Sequence, residues 1–449
     1  MDHRWPAGSR IGVGMHRDSV TAALVAEGSQ LGRNDLPLDS TWQELEGRLA
    51  IQLRQLGSRA RTPVESVAWE LSDLLTPLAE ASPVAALRML PRAPVSDALA
   101  GQPSPLLHTL VGHRANVRGG HDLFGFELAP PDVTGAVAVA RAAAEAGYPA
   151  LAITASGAMG CPEHEQLAAE AILDAVPGLR LCLSHEVGGL GVLQREAAAV
   201  LTLALQPRIG ELIGACERAT ASGAPAATAW FVAGDGGRLS AERLRTFPAS
   251  ALGSGGAAAL LGAAVLAEQP DASVVLADGD SYGLGYVRSG LPYASSDVME
   301  VDRMRLAIPQ AVISPVAVPD VGQAGVLADG TGPALVVGLR SDDIAAARSF
   351  SERSTSETRL VCDADVVAVG SAVTEPSAWL DLVVTADNPE ELERVRGTLA
   401  DRACTLLASS GARPGTERIV SSTVSPLSFL RSGSYRVVLR ASGSIGGAP

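Results

Sequence analysis

The sequence predicts an α/β protein of two or three domains, and three observations carry that reading. β-rich runs alternate with helical ones along most of the chain, the pattern of sheets covered by helices. A length of 449 residues exceeds what one hydrophobic core usually organises. Hydrophobic residues make up 47% and charged residues 19%, far from a disordered composition. Aromatic residues are only 4%, so Ala, Val, Leu and Gly must fill the interior.

In chain order, Arg10–Glu27 reads as two β-rich runs around a polar turn, a hairpin. A helical stretch follows over Ser40–Leu56, then a β segment over Val64–Leu71 and a region rich in Pro and Ala. Gly135–Gly147 is helical, Tyr148–Ser156 a strand, His164–Val176 helical, and Leu179–Val187 a strand again. That succession is a βαβ unit with a parallel pair. A long Ala/Leu helix is expected over Leu193–Ala221 and a buried strand over Ala226–Gly234. Ser254–Glu268, small and apolar with glycines near its start, suits a close-packed helix feeding a strand at Asp271–Asp280. Gly332–Leu339 and Asp363–Gly370 read as two more strands. Beyond Asp381 a small separate module is expected: Asn388 and Glu391 signal the start of a helix running to about Ser410, two strands make a hairpin, and the last residues fray.

Composition excludes several functions. Every one of the 35 basic residues other than histidine is an arginine, so a phosphate-loop lysine, a Schiff base and a lysine base are impossible. A net charge of −14 and the lack of a basic stripe argue against nucleic acid as a partner. Cys161, Cys182, Cys216, Cys362 and Cys404 are odd in number, far apart and without a C-x-x-C, which fits a reduced cytoplasm better than a disulfide framework or a thiolate zinc site. Met1–Arg10 has no apolar core of signal-peptide length, and no run approaches eighteen apolar residues, so no membrane partner is expected. No G-x-S-x-G elbow and no G-x-G-x-x-G fingerprint occurs, against serine-hydrolase and Rossmann readings.

Three stretches together resemble the hydantoinase/oxoprolinase family, in its hydantoinase A-like subunit: Gly112–Asp132, Ala150–Pro207 and Ser254–Pro292. The second is the specific one, with a Pro-x-His-Glu helix start, a Leu-Ser-His-Glu-Val strand end and an Arg-Glu opening a long helix. The resemblance implies an actin-like ATPase fold of two RNase H-like halves with a small C-terminal α+β module. It implies boundaries at 1–185, 186–378 (a shortened hydantoinase/oxoprolinase-like domain) and 379–449. The implied reaction is hydrolytic opening of a cyclic amide or imide, with ATP activating the carbonyl. A small-molecule substrate or ligand, a paralogous hydantoinase subunit and an oligomeric state are the implied partners.

The chain departs from that pattern where nucleotide would bind. The family's Asp-x-Gly-Gly-Thr turn is Gly14, Met15, His16, Arg17 and Asp18, without the metal carboxylate or either following glycine. The second loop reads Leu276, Ala277, Asp278, Gly279, Asp280, which aims carboxylates where phosphate would lie. The adenosine-side segment, Pro315–Gly322, has little glycine, and a long helical part before Gly332 is missing. ATP is therefore not expected as a cofactor.

Candidate chemistry rests on His185, Glu186 and Arg195 as catalytic groups, and on His121, Asp122 and His185, with Glu186 alongside, as ligands of a divalent metal that would activate water. His113 and the His164–Glu165 pair lie in the same stretches. The plainer reading makes these histidines strand-end and helix-start residues, since their spacing is not diagnostic. Asp278, Asp280 and Ser281 read as a cation-binding or solvated turn, Gly253–Gly256 as an anion site or a packing device, and Arg195–Glu196 as substrate contacts or a local surface ion pair. Gly234–Gly237 reads as a substrate-side or an ordinary turn. Two roles follow: an ATP-independent hydrolase of cyclic amides, or a non-catalytic pseudo-ATPase subunit supporting a partner enzyme.

Overall fold

The computed structural model describes residues 5–6, 8–38, 42–76, 78, 81–92, 104–296, 299–301, 304–316, 333–354, 357–362 and 365–445. Two sheets with the same plan organise it. In the first, strand Ser9–Met15 forms an antiparallel hairpin with Ser19–Ala26, which pairs onward with Ser29–Pro37. On its other side lie Val64–Glu70 and then Thr228–Val232, both parallel. In the second, Ala272–Asp278 forms the hairpin with Ser281–Arg288 and takes Ala334–Gly338 and Thr358–Leu360 as successive parallel neighbours. The central strands are buried from end to end, as their unbroken apolar runs require.

The first sheet takes strands from both sides of the 185/186 boundary that the sequence suggested. It continues through Gly237–Leu239 into Glu375–Thr385, Ser434–Ser442 and Arg418–Pro426, so the C-terminal hairpin extends it. Helix Pro389–Ser409 covers this extension, with the Asn388 side chain accepting from Glu391 N at 2.9 Å. Asp235 fixes the junction: it accepts from Gly237 N at 2.9 Å and from Trp379 Nε1 at 2.7 Å and pairs with the buried Arg440. The Gly234–Gly237 turn is thus an anchor for the C-terminal strands.

One expected strand is a helix. Val366–Val373 lies wholly buried between the two sheets, and the Asp365 side chain caps it by accepting from Ala368 N at 2.8 Å. A helix apolar on every face carries no 3.6-residue signature, and its Val-rich run imitates a strand. It crosses helix Ser254–Leu266 so closely that a Cβ on Gly370 would stand 1.8 Å from Ala258 O, and one on Gly262 1.8 Å from Val366 O. Gly370→Ala should therefore cost about 2–3 kcal/mol, the upper range for overpacking a filled core, read as a lowered urea midpoint at unchanged slope. Of the adenosine-side segment Pro315–Gly322, the first two residues end strand Ile313–Val316, which pairs with Ser281–Arg288, and 317–322 lie outside the described residues, as do most of the stretch before Gly332 and residues 446–449 of the expected frayed tail.

Between Val64–Glu70 and Thr228–Val232 the chain inserts a four-stranded parallel sheet in the order Val111–Arg118, Val84–Leu90, Ala150–Ala155, Arg180–Leu183. Helices Val133–Glu145 and Glu163–Ala175 pack small residues (Ala136, Ala140, Ala168) and Ile172 onto one face. The long helix Val192–Gly223 packs on both this sheet and the helix Trp42–Gly57 of the first lobe, and it carries Glu196, fully buried between Arg88 and Arg114. Glu196 pairs across the subdomain, not with its neighbour Arg195. This helix and Pro248–Leu266 are long and apolar because they are core helices, mostly buried inside the fold.

Candidate functional site

The turns after Met15 and Asp278 approach one another: Asp73, which contacts His16, lies within electrostatic reach of Arg340, which pairs with Asp278, so protein side chains fill the cleft between them. His16 is 5% exposed, with Nδ1 3.4 Å from Asp73 and Nε2 3.7 Å from Asp365. Burial alone would lower its proton affinity, but contacts with Asp365 and Asp73 and the charge of Glu70 outweigh it and raise the pKa from 6.5 to about 10. An imidazolium thus stands among carboxylates. Glu70, buried at the end of its strand, accepts from the Ser254 hydroxyl at 2.6 Å and from Ser72 N at 2.7 Å. Gly255 N donates to Ser72 Oγ, so protein acceptors serve the start of helix Ser254–Leu266. In the second turn Gly279 N donates to Asp343 Oδ1 at 2.8 Å, and Arg340 bridges Asp278 and Asp343. The surviving loop glycine therefore presents its N–H to an internal carboxylate. Asp280 and Ser281 are exposed, with the Ser281 hydroxyl donating to Asp278 O.

A second constellation lies outside the carboxyl ends of the inserted strands, beside the point where strand order reverses, the usual ligand position of open α/β sheets. The first turn of helix Glu163–Ala175 organises it through two adjacent residues. Glu165, fully buried, accepts from Ala155 N at 2.7 Å, from the Ser184 hydroxyl at 2.6 Å, and from His185 N at 3.1 Å and His185 Nδ1 at 2.7 Å. Three backbone or hydroxyl donors on one carboxylate fix it as the acceptor, so His185 carries a proton on Nδ1 and, in the neutral ring, the lone pair is on Nε2. The His185 side chain is 19% exposed.

His164 turns the other way and accepts from Gly120 N at 2.8 Å, which makes it a neutral ring. Burial and the neighbouring His121 push its pKa down, in keeping with that proton arrangement. His121 packs against it with ring centroids 4.0 Å apart and planes tilted by 44°, is 3% exposed, and has a buried Nδ1 without a partner among the described residues. The loop carrying His121 is clamped to the turn after Ala155: His121 N donates to Ser156 O, and the Ser156 hydroxyl to His121 O. Gly157, at φ +68°, makes the approach possible, since a Cβ there would stand 2.2 Å from His121 O. That turn brings Cys161 and Glu163 beside His121, with one ligand atom from each within 4.8 Å of the others.

The sequence-derived candidates separate accordingly. His121 and His185 lie at the same sheet edge on opposite sides of the His164–Glu165 turn. Asp122 accepts from Phe124 N and Phe126 N and shapes its own loop. Glu186 is exposed, and Arg195 is fully buried, donating to the Ser184 hydroxyl and to the carbonyls of Ala155, Gly189 and Leu190. Arg195 thus braces the dyad from behind. His113 sits in mid-strand beside Tyr148. In the sequence Cys161 stands out only as one of five scattered cysteines, and neither Glu163 nor the orienting role of Glu165 is singled out. Their signal is the run Cys161-Pro162-Glu163-His164-Glu165 after the turn that follows strand Ala150–Ala155, missed because the cysteines are weighed against one another and not against nearby histidine and glutamate. All five cysteines are free, and burial pushes the Cys182 and Cys216 thiols up, out of reach of reactivity.

No family model and no curated protein sequence matches the chain. Among solved structures, it is similar to the ATP-dependent caprolactamase of Pseudomonas jessenii, with TM-score 0.71 and 16% identity over 96% of this chain and 87% of that one. It is also similar to a nucleotide-free acetone carboxylase, with TM-score 0.69 and 12% identity over 99% and 88%. At these identities the likeness is one of fold.

Proposed function

We propose that this chain is a nucleotide-independent hydrolase of a small cyclic amide or imide, built on the two-lobed actin-like plan of the hydantoinase/oxoprolinase family. The observation that carries this reading is the Glu165–His185 dyad, with a histidine nitrogen left open at the sheet edge. A buried carboxylate that fixes Nδ1–H makes Nε2 a general base for water. The water oxygen then bonds to the ring carbonyl as its proton passes to Nε2. When the C–N bond breaks, the imidazolium returns that proton to the leaving nitrogen, giving an open-chain acid whose freed nitrogen is an amine from a lactam and an amide from an imide. Glu165 stabilises the transient imidazolium. The nucleotide-free character is supported by the occupied cleft, where His16 and the carboxylates of Glu70 and Asp343 take the places of magnesium and phosphate. The similarity in fold to a caprolactamase, named for a cyclic amide, supports the substrate class.

The test is a panel of hydantoins, lactams and cyclic imides followed by mass spectrometry without nucleotide, beside calorimetry with Mg-ATP. Expected are ring opening that ATP does not accelerate, a loss of about 10²–10⁴-fold in His185→Ala, and no heat of ATP binding. Turnover that requires ATP, or micromolar binding of Mg-ATP, would refute the proposal. A folded protein inert toward every ring would assign the chain to the role of a non-catalytic subunit.

A further inference from the structure

We infer that His121, Cys161 and Glu163 form a binding site for a zinc-type divalent metal ion, with three protein ligands and a fourth position open to solvent. The donor set, one imidazole nitrogen, one thiolate and one carboxylate, is of the kind zinc takes at neutral pH. Zinc–ligand bonds of about 2.0–2.3 Å place tetrahedral ligands roughly 3.5 Å apart. The three ligand atoms here lie within 4.8 Å of one another, so a modest rotation of the exposed Glu163 side chain closes the set.

Two features separate this cluster from a chance meeting of polar residues. His121 is 3% exposed and its Nδ1 is buried without a partner among the described residues, a deficit of about 1–3 kcal/mol for a buried polar atom. The cluster is also held before any ion arrives. The His121 loop and the Ser156–Cys161 turn are tied by reciprocal bonds through Ser156, and Cys161 N donates to Gly157 O. A soft ligand on a tight turn, facing a buried imidazole on a clamped loop, is the preorganisation that metal affinity needs. Burial grades from His121 through the half-buried Cys161 to the exposed Glu163, so the open coordination position faces water. That is the arrangement of a catalytic rather than a closed structural site. On binding, Cys161 releases its thiol proton to solvent.

The site stands on its own geometry; only its use in polarising an amide carbonyl rests on the hydrolase reading. Metal content of the protein purified without chelator, and Co²⁺ and Zn²⁺ titration of the chelator-treated protein, test it. Expected are one equivalent of zinc and, with cobalt, a thiolate-to-metal charge-transfer band. In Cys161→Ser, whose half-exposed position spares the fold by circular dichroism, the band should vanish and zinc affinity fall on the order of a hundredfold. Glu163→Gln should keep the band while weakening binding. A wild-type protein without the band would overturn the inference. So would an affinity that moves with Asp122→Asn or His185→Ala but not with Cys161→Ser. These outcomes are read without substrate or nucleotide, so they stand or fall apart from the hydrolase reading.

Discussion

The unfolding free energy should be highest below about pH 6.5 and should fall by roughly 4–5 kcal/mol as the pH rises to 10, with His16 as the principal cause. Its folded pKa of about 10 lies above the unfolded value of 6.5. The folded state therefore holds a proton that the unfolded chain releases, and this contribution is complete below pH 6.5 and lost as the pH passes through 10. The interval is three to four decades of proton affinity, at about 1.4 kcal/mol for each decade. Glu70 acts in the same sense: burial, against hydrogen bonds from Ser254 and Ser72, raises its carboxyl, so ionising it above pH 4.5 costs the folded state. Asp73 and Asp365 act at the acid end. The hydrogen bond to His16 holds Asp73 low. Asp365 is low as well, because the His16 contact and the Ala368 N–H outweigh its burial, so their share is lost only below about pH 3.8. Urea unfolding at pH 6 and pH 9 reads the difference. In His16→Gln the alkaline decline should flatten and the stability at pH 6 should drop, since Asp73 and Asp365 then lose the cation that stands between them. A wild-type curve level from pH 6 to 10 would show that the imidazolium is not there.

The same residue shows how far the sequence could be read. That Gly14–Asp18 had lost its phosphate-binding character was visible, because a missing carboxylate and missing glycines are local facts. What replaced it was not visible, because Asp73 and Asp365 arrive from a different strand end and from a helix almost three hundred and fifty residues onward. Elements with a cap and one apolar face, such as Pro389–Ser409 behind Asn388, were legible to within a residue or two. Val366–Val373 was not, being buried on all sides. The shared plan of the two principal sheets left no trace in the sequence, since a β-hairpin with parallel neighbours constrains burial and turn lengths rather than residue identity. Polar pairs behaved likewise. Arg195 and Glu196 are neighbours in the chain, yet a helix points them about 100° apart. One then braces Ser184 and the other pairs with Arg88, which sits 108 residues earlier. The chemical types at the sheet edge were legible as histidine and carboxylate, but the turn at Gly157 that brings Cys161 to His121 is a matter of backbone geometry.

Glu165→Gln should cost about 3–5 kcal/mol of stability, the range for removing one member of a buried charged network, and should also reverse the tautomer of His185. The carboxylate serves four donors, and no amide can do so. If the glutamine oxygen keeps the bonds from Ala155 N and the Ser184 hydroxyl, its NH₂ group faces the His185 backbone N–H, donor against donor. The same amide would donate to Nδ1 and drive the ring proton to Nε2. The charge of Arg195, fully buried and within electrostatic reach of Glu165, would lose its counter-charge. Nitrogen chemical shifts of the His185 ring separate the two effects: Nδ1–H in the wild type, Nε2–H in the variant, measured where both are folded. Glu165→Asp, which keeps the charge but shortens the reach, should retain more of the stability while loosening the hold on Nδ1. If His185 carries its proton on Nε2 in the wild type, no lone pair faces the sheet edge and the general-base assignment fails. If instead the tautomer reverses and ring opening falls with it, proton placement by Glu165 is what makes this histidine a base.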